Sequence, residues 1–170
     1  MSPHGCRAAP CWGLGQSPGL PAPRPAPKAV GMILGLGSDI MDIRRIEASI
    51  ARFGDRFLLR VFTETERARA MRRTEKLRAP TFAKRFAAKE AAAKALGTGF
   101  RNGVFFADLA VVNLRTGQPT IRMSGGAAVR LAAITPAGMV AVISVTMTDE
   151  YPYAYAQVII SAVPGPVAEC

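Results

Sequence analysis

Histidine is nearly missing from this chain: of 170 residues only His4 carries an imidazole, and it lies in the amino-terminal stretch. The folded part must therefore do any chemistry without imidazole as its acid or base. Cysteine is scarce too. Cys6, Cys11 and Cys170 lie outside every periodic segment, are odd in number and show no C-x-x-C spacing. That pattern excludes a disulfide framework or zinc ribbon and implies a reducing, cytoplasmic setting. No apolar run is long enough to cross a bilayer as a helix, so no membrane role is expected. Acid is absent from the first 31 residues, which hold seven prolines instead. Those prolines, with the glycines among them, interrupt the continuous apolar core a secretory signal would need. Residues 1–31 are expected to be a disordered, dispensable tail, or to precede a start at Met32, and residues 32–170 to be one domain.

Basic charge is abundant, and it is concentrated. The net charge is +10, and residues 44–101 alone hold 16 basic and 6 acidic side chains. That segment should attract an anion: nucleic acid, a phosphorylated small molecule or an acidic protein. A nucleic-acid module would interleave exposed aromatics with its cations or carry a known motif. Neither occurs, so no nucleic-acid partner is expected.

Periodicity divides the chain. The run "MILGLG" over 32–37 reads as a buried strand, with Asp39 in the turn or sheet-edge stretch that follows. Ile43, Ile46 and Ile50 recur at helical spacing, with Gly54 suited to the C-cap. "DRFLLRVF" is a short helical piece, and Thr63 with Glu66 forms a capping-box signature for another. Pro80 suits the first turn, and Gly97 the end, of the helix carrying "AKRFAAKEAAAKALGTG". Beyond Gly103, "DLAVVNL" and "PTIRM" flank the hairpin turn "RTGQP". Ser124 can cap a helix, and "MVAVISVTM" and "YAYAQVIIS" read as paired strands. Helices then strands predict an α+β fold with an antiparallel sheet.

The helix over 83–99 poses the chemical question: Lys84, Arg85, Lys89 and Lys94 surround one acid, Glu90. The ordinary explanation is an i,i+4 ion pair from Glu90 to Lys94, contributing roughly 0.2–0.5 kcal/mol. The alternative is a phosphate site with a divalent metal, since Mg²⁺ takes one or two carboxylates plus phosphate oxygens. Alanines at 87, 88, 91, 92, 93 and 95 keep the helix slim enough for another body to approach it. The "GTGFRNG" loop that ends it offers backbone donors to phosphate oxygens. Asp39 is the candidate second carboxylate, although an aspartate there is commonly only an N-cap or turn residue.

The pieces "ILGLGSDIMDIRRIE", "RFGDRFLLRVFTETE", "AKRFAAKEAAAKALGTG" and "VVNLRTGQPTIRMSGGAA" together resemble the bacterial holo-acyl-carrier-protein synthases, a family of 4′-phosphopantetheinyl transferases. The resemblance runs from Met32 to Ser161. It implies transfer of phosphopantetheine from coenzyme A to a serine of an apo-acyl carrier protein, by an α+β homotrimer active in fatty acid biosynthesis. By position, Asp39 and Glu90 would hold Mg²⁺, and Lys94 would stabilise the phosphates as the third catalytic residue. Arg85 and the loop Gly97, Thr98 and Gly99 would contact the nucleotide. Arg45 and Arg52, seven residues apart on one helix face, would dock the acidic carrier; without the resemblance they read equally as a solvated face. Where members often carry a histidine, this chain has Met147. The serine proton is then left to Asp39 or Glu90 through water, or to Asp149.

Overall fold

The computed structural model describes residues 31–165, so the expected tail, Gly31 apart, and all three cysteines lie outside the described residues. In chain order the elements are β1 (Met32–Asp42), α1 (Ile43–Phe53), α2 (Asp55–Val61), α3 (Glu64–Met71), α4 (Glu75–Ala95), β2 (Leu109–Asn113), β3 (Pro119–Met123), α5 (Gly125–Ile134), β4 (Met139–Glu150) and β5 (Tyr153–Pro164). The strands form two antiparallel sheets, one ordered β1-β5-β4 and one the β2-β3 hairpin, which is the expected α+β class. No helix among the described residues is long and apolar enough to cross a membrane.

Close packing of α4 on the three-stranded sheet organises the domain. Central β5 buries Ala154, Ala156, Val158, Ile160 and Ala162, and α4 buries Ala87, Ala88, Ala91, Ala92 and Ala93. With side chains this small on the helix, the strand backbone can come close where it also lacks side chains. On β1 it does: a Cβ on Gly37 would collide with the Ala91 carbonyl and the Ala95 amide, and one on Gly35 with the Ala95 carbonyl. The slim helix face thus receives β1 of the same chain. The period of two along a strand then carries Asp39 onto the same side as Gly37, facing α4. Leu36 and Ile40 point the other way and are 60% and 63% exposed.

Three local expectations need correction. β1 does not stop at Gly37. It pairs with β5 from Met32↔Ala162 to Asp42↔Tyr153, so Asp39 sits within a strand, and Asp42 is the N-cap of α1. Pro80 lies inside α4 and not in its first turn, because Thr74 and Glu75 start the helix upstream. Proline there forfeits the one hydrogen bond its missing N–H would donate, and burial of Thr81, Phe82 and Ala83 just beyond offsets the loss. Ser124 occupies the N-cap position of α5, but its hydroxyl does not cap; it donates to the Asp108 carbonyl at 3.4 Å. Two of the four cations around Glu90 are not on the surface of α4: Arg85 is 3% exposed and Lys89 fully buried.

Lys89 is neutralised from a different helix. Its Nζ lies 2.8 Å from Glu66 Oε2 and donates to the carbonyls of Val61 at 2.7 Å and Phe106 at 3.0 Å. Glu66 closes the expected capping box, accepting from the Thr63 amide and hydroxyl at 2.8 Å each. Its other oxygen accepts from the Val111 amide at 3.1 Å. One buried ion pair therefore ties α3, α4 and β2 together.

Candidate active site

Across the β1–α4 contact, two carboxylates and one ammonium converge. Lys94 reaches over to β1, donating from Nζ to Asp39 Oδ1 at 2.8 Å and to the Ser38 carbonyl at 3.0 Å. The i,i+4 pair between Glu90 and Lys94 is not among the ion pairs of the described residues. The lysine is drawn instead to the aspartate that strand geometry places opposite it. Glu90 is left half-buried, and burial raises its carboxyl above the ordinary range. The Asp39 charge pushes it up further, and the Lys94 charge only partly opposes this. Asp39 Oδ2 is buried without a hydrogen-bond partner.

A carboxylate oxygen left unpaired beside a second, electrostatically strained carboxylate is a costly arrangement for a protein to leave as it stands. A hard divalent cation would remove both costs at once. Among the described residues no group of three or more histidine, cysteine, aspartate or glutamate side chains gathers at one place. Two carboxylates with open positions for phosphate and water are a donor set suited to Mg²⁺. Asp39, Glu90 and Lys94 are thus brought together as the sequence led one to expect.

Arg85 stands apart from that trio. It lines a cleft of about 210 Å³ with Arg69, Arg73, Lys84, Thr81, Asn113, Pro119 and Met147. One of its nitrogens donates to the Thr81 carbonyl at 3.0 Å, while its Nε is buried without a partner. Burial lowers the affinity of Arg85 for its proton, the Glu66 charge works against this, and Arg69 and Arg73 add repulsion. Four cations face one small cleft, one of them with an orphaned donor and Lys84 paired with Asp149, a lining suited chemically to an anion. Arg69, on α3, and Arg73, in the link between α3 and α4, escaped the sequence reading because only the packing of α3 on α4 brings them beside Arg85, and Lys84 was read there only as one of the cations around Glu90. Asp149 is committed elsewhere: its Oδ1 is 2.5 Å from Lys84 Nζ, which makes it a weak candidate base.

The loop after α4 turns on Gly97 and Gly99, both at positive φ (74° and 58°), and the Gly99 amide donates to the Ala93 carbonyl at 3.0 Å. Thr98 Oγ1 donates to the Gly99 carbonyl at 3.0 Å. On α1, Ile43 and Ile46 face inward while Arg45 and Arg52 are exposed. The Arg52 guanidinium lies 4.9 Å from the centre of the Phe53 ring. Beside it opens a cleft of about 390 Å³ lined by Phe53, Arg56, Phe57 and Arg60, a mixed aromatic and basic surface that periodicity alone did not single out.

Residues 35–156 match the 4′-phosphopantetheinyl transferase superfamily. A holo-[acyl-carrier-protein] synthase of Granulibacter bethesdensis is 67% identical over 137 residues, covering 81% of this chain and 94% of the relative. The crystal structure of such a synthase from Neisseria meningitidis superposes with a TM-score of 0.66 at 32% identity, over 76% of this chain and 98% of the other. One from Bacillus anthracis, solved in complex with CoA (3′,5′-ADP), superposes with a TM-score of 0.61 at 32% identity, over 76% and 97% of the two chains.

Proposed function

The chain belongs to the 4′-phosphopantetheinyl transferase superfamily, and we propose that it moves the 4′-phosphopantetheine group of coenzyme A onto a serine of an apo-acyl carrier protein, releasing adenosine 3′,5′-bisphosphate. The observation that carries this reading is the pairing of Asp39 with Glu90 beside Lys94, with Asp39 Oδ2 unsatisfied. Asp39 and Glu90 would hold Mg²⁺, which when bound offsets negative charge on the pyrophosphate. Lys94 has spent two of its donors on Asp39 and Ser38, and its third is available to a phosphate oxygen. Arg85, with Arg69, Arg73 and Lys84 around it, receives the remaining nucleotide phosphate charge. Gly97, Thr98 and Gly99 border the same ligand. Glu90, whose carboxyl binds its proton more tightly than usual, is the better placed acceptor for the serine proton, through an intervening water.

The setting follows from the same reading. Supply of holo-carrier protein places the enzyme in cytoplasmic fatty acid biosynthesis. The sheet face opposite α4 exposes Leu36, Ile40, Val140 and Val142, an apolar surface that a homotrimer would cover. The direct test is incubation of the full chain with coenzyme A, Mg²⁺ and apo-carrier protein, read by intact mass. The expected result is a gain of one phosphopantetheine group on the carrier; an unchanged mass with every substrate present would overturn the reading.

Carrier docking is assigned to Arg45 and Arg52, exposed on α1 beside the Phe53–Arg60 cleft. With both changed to glutamate, the KM for carrier protein should rise about tenfold or more, because like charges now face an acidic partner. Coenzyme A affinity by calorimetry should barely change, since α1 supplies none of its proposed ligands. In the wild type, raising the salt should weaken carrier binding as exposed charges are screened. Equal losses for both substrates would move these arginines to the nucleotide site.

A further inference from the structure

The loop that follows α4 is gripped at both ends by a single helix. At its start, Arg130 of α5 donates from Nε to the Leu96 carbonyl at 3.0 Å, and its guanidinium lies against Gly97. Leu96 is the C-cap of α4, where the helix leaves its last carbonyls without partners inside the helix. Three carbonyls before it are taken locally: Leu96 N donates to Ala92, Gly97 N to Lys94 and Gly99 N to Ala93. Leu96 is the carbonyl that the arginine meets, and a cation there also opposes the negative end of the helix dipole. At the other end of the loop, Gly126 of α5 lies against Gly103, so closely that any Cβ on it would collide with the Gly103 carbonyl. Residues 126 and 130 stand one helical turn apart and so share a face, with Ala127 fully buried beside them.

We propose that α5 is a splint for the Gly97–Gly103 loop and that Arg130 is a positioning residue for nucleotide binding by that loop. The inference rests on the transferase reading, which makes the loop part of the coenzyme A site. Arg130 touches neither reacting atoms nor the carboxylate pair; it acts by fixing where the chain leaves α4. A loop rich in glycine has many alternative conformations, and holding both ends removes much of that freedom before the ligand arrives.

The test uses the full chain with Arg130→Ala and Arg130→Lys. In Arg130→Ala, the KM for coenzyme A should rise about tenfold while kcat and the KM for carrier protein stay within about twofold, the signature of lost preorganised binding. Arg130→Lys keeps a donor that can reach the Leu96 carbonyl and should recover part of the loss. Hydrogen exchange supplies a readout independent of turnover: amides from Gly97 to Val104 should exchange faster in Arg130→Ala, with β5 unchanged. An unchanged coenzyme A KM together with unchanged loop exchange would overturn the splint, as would a uniform loss of protection across the domain. Were the wild type unable to modify carrier protein, the transferase reading would fall, and the exchange comparison would still decide whether α5 holds the loop.

Discussion

Glu90→Gln should abolish transfer while making the metal-free protein more stable at neutral pH. In the native chain burial and the Asp39 charge raise the Glu90 carboxyl above its ordinary value of 4.5. The native state then holds this proton more tightly than the unfolded state does. Stability therefore falls as pH rises through the window between 4.5 and the raised value, and stays lower above it. Glutamine removes that charge, so the variant gains nothing below the window and gains its full advantage above it. The gain is modest because Glu90 is partly solvated. Mg²⁺ should reverse the comparison: binding to the folded state raises the wild-type melting temperature and leaves that of Glu90→Gln nearly unmoved. Turnover should fall by about a hundredfold or more in Glu90→Gln and in Asp39→Asn, since each removes a carboxylate that would neutralise the pyrophosphate through the metal. Melting scans across pH with and without Mg²⁺, beside transfer rates, read all of this. Normal turnover of Glu90→Gln at low Mg²⁺ would reduce Glu90 to a surface residue of α4.

How far the sequence anticipated this site depended on whether its parts were local. Glu90 and Lys94 sit one turn apart, and helical spacing sufficed to relate them. It suggested the wrong partner, however, because an i,i+4 pair is the nearest option visible along one helix. The preferred partner, Asp39, is 55 residues away and arrives only because Gly35 and Gly37 let β1 settle onto the alanine face of α4. Each half of that contact was legible as small residues at regular spacing; their mutual fit was not. Asp39 was read as a turn residue because "GLGSD" looks like the end of a strand. The pairing with β5, the last strand of the domain, carries the strand on to Asp42. The cationic cleft was the least legible part. Arg69 looks like a solvated charge on a short helix, and Arg73 like one in the link that follows, until α3 is packed against α4. What packs them there is the Glu66–Lys89 pair, whose two members read separately as a capping glutamate and a surface lysine.

Removing either member of that pair should be the most damaging single change outside the active site. Both side chains are fully buried, 2.8 Å apart, and each has further hydrogen bonds that were formed around its charge. Lys89→Met leaves the Glu66 carboxylate buried with no cation and should cost about 3–5 kcal/mol, as for other broken buried pairs. Glu66→Gln should cost a comparable amount near neutral pH, with a different pH dependence. Burial already lowers the Lys89 pKa from 10.5, and the Glu66 charge is what opposes that. Without Glu66 the folded state would shed the lysine proton more readily than the unfolded state, so stability of this variant should recover as pH rises toward alkaline values. The double variant Glu66→Gln/Lys89→Met buries no charge and should be more stable than Lys89→Met alone, although it cannot recreate every bond to Val61, Phe106 and Val111. Urea unfolding of the wild type, both single variants and the double variant gives the coupling energy directly. A double variant no better than the worse single would mean that the two charges stabilise the fold independently, through their separate hydrogen bonds to the backbone.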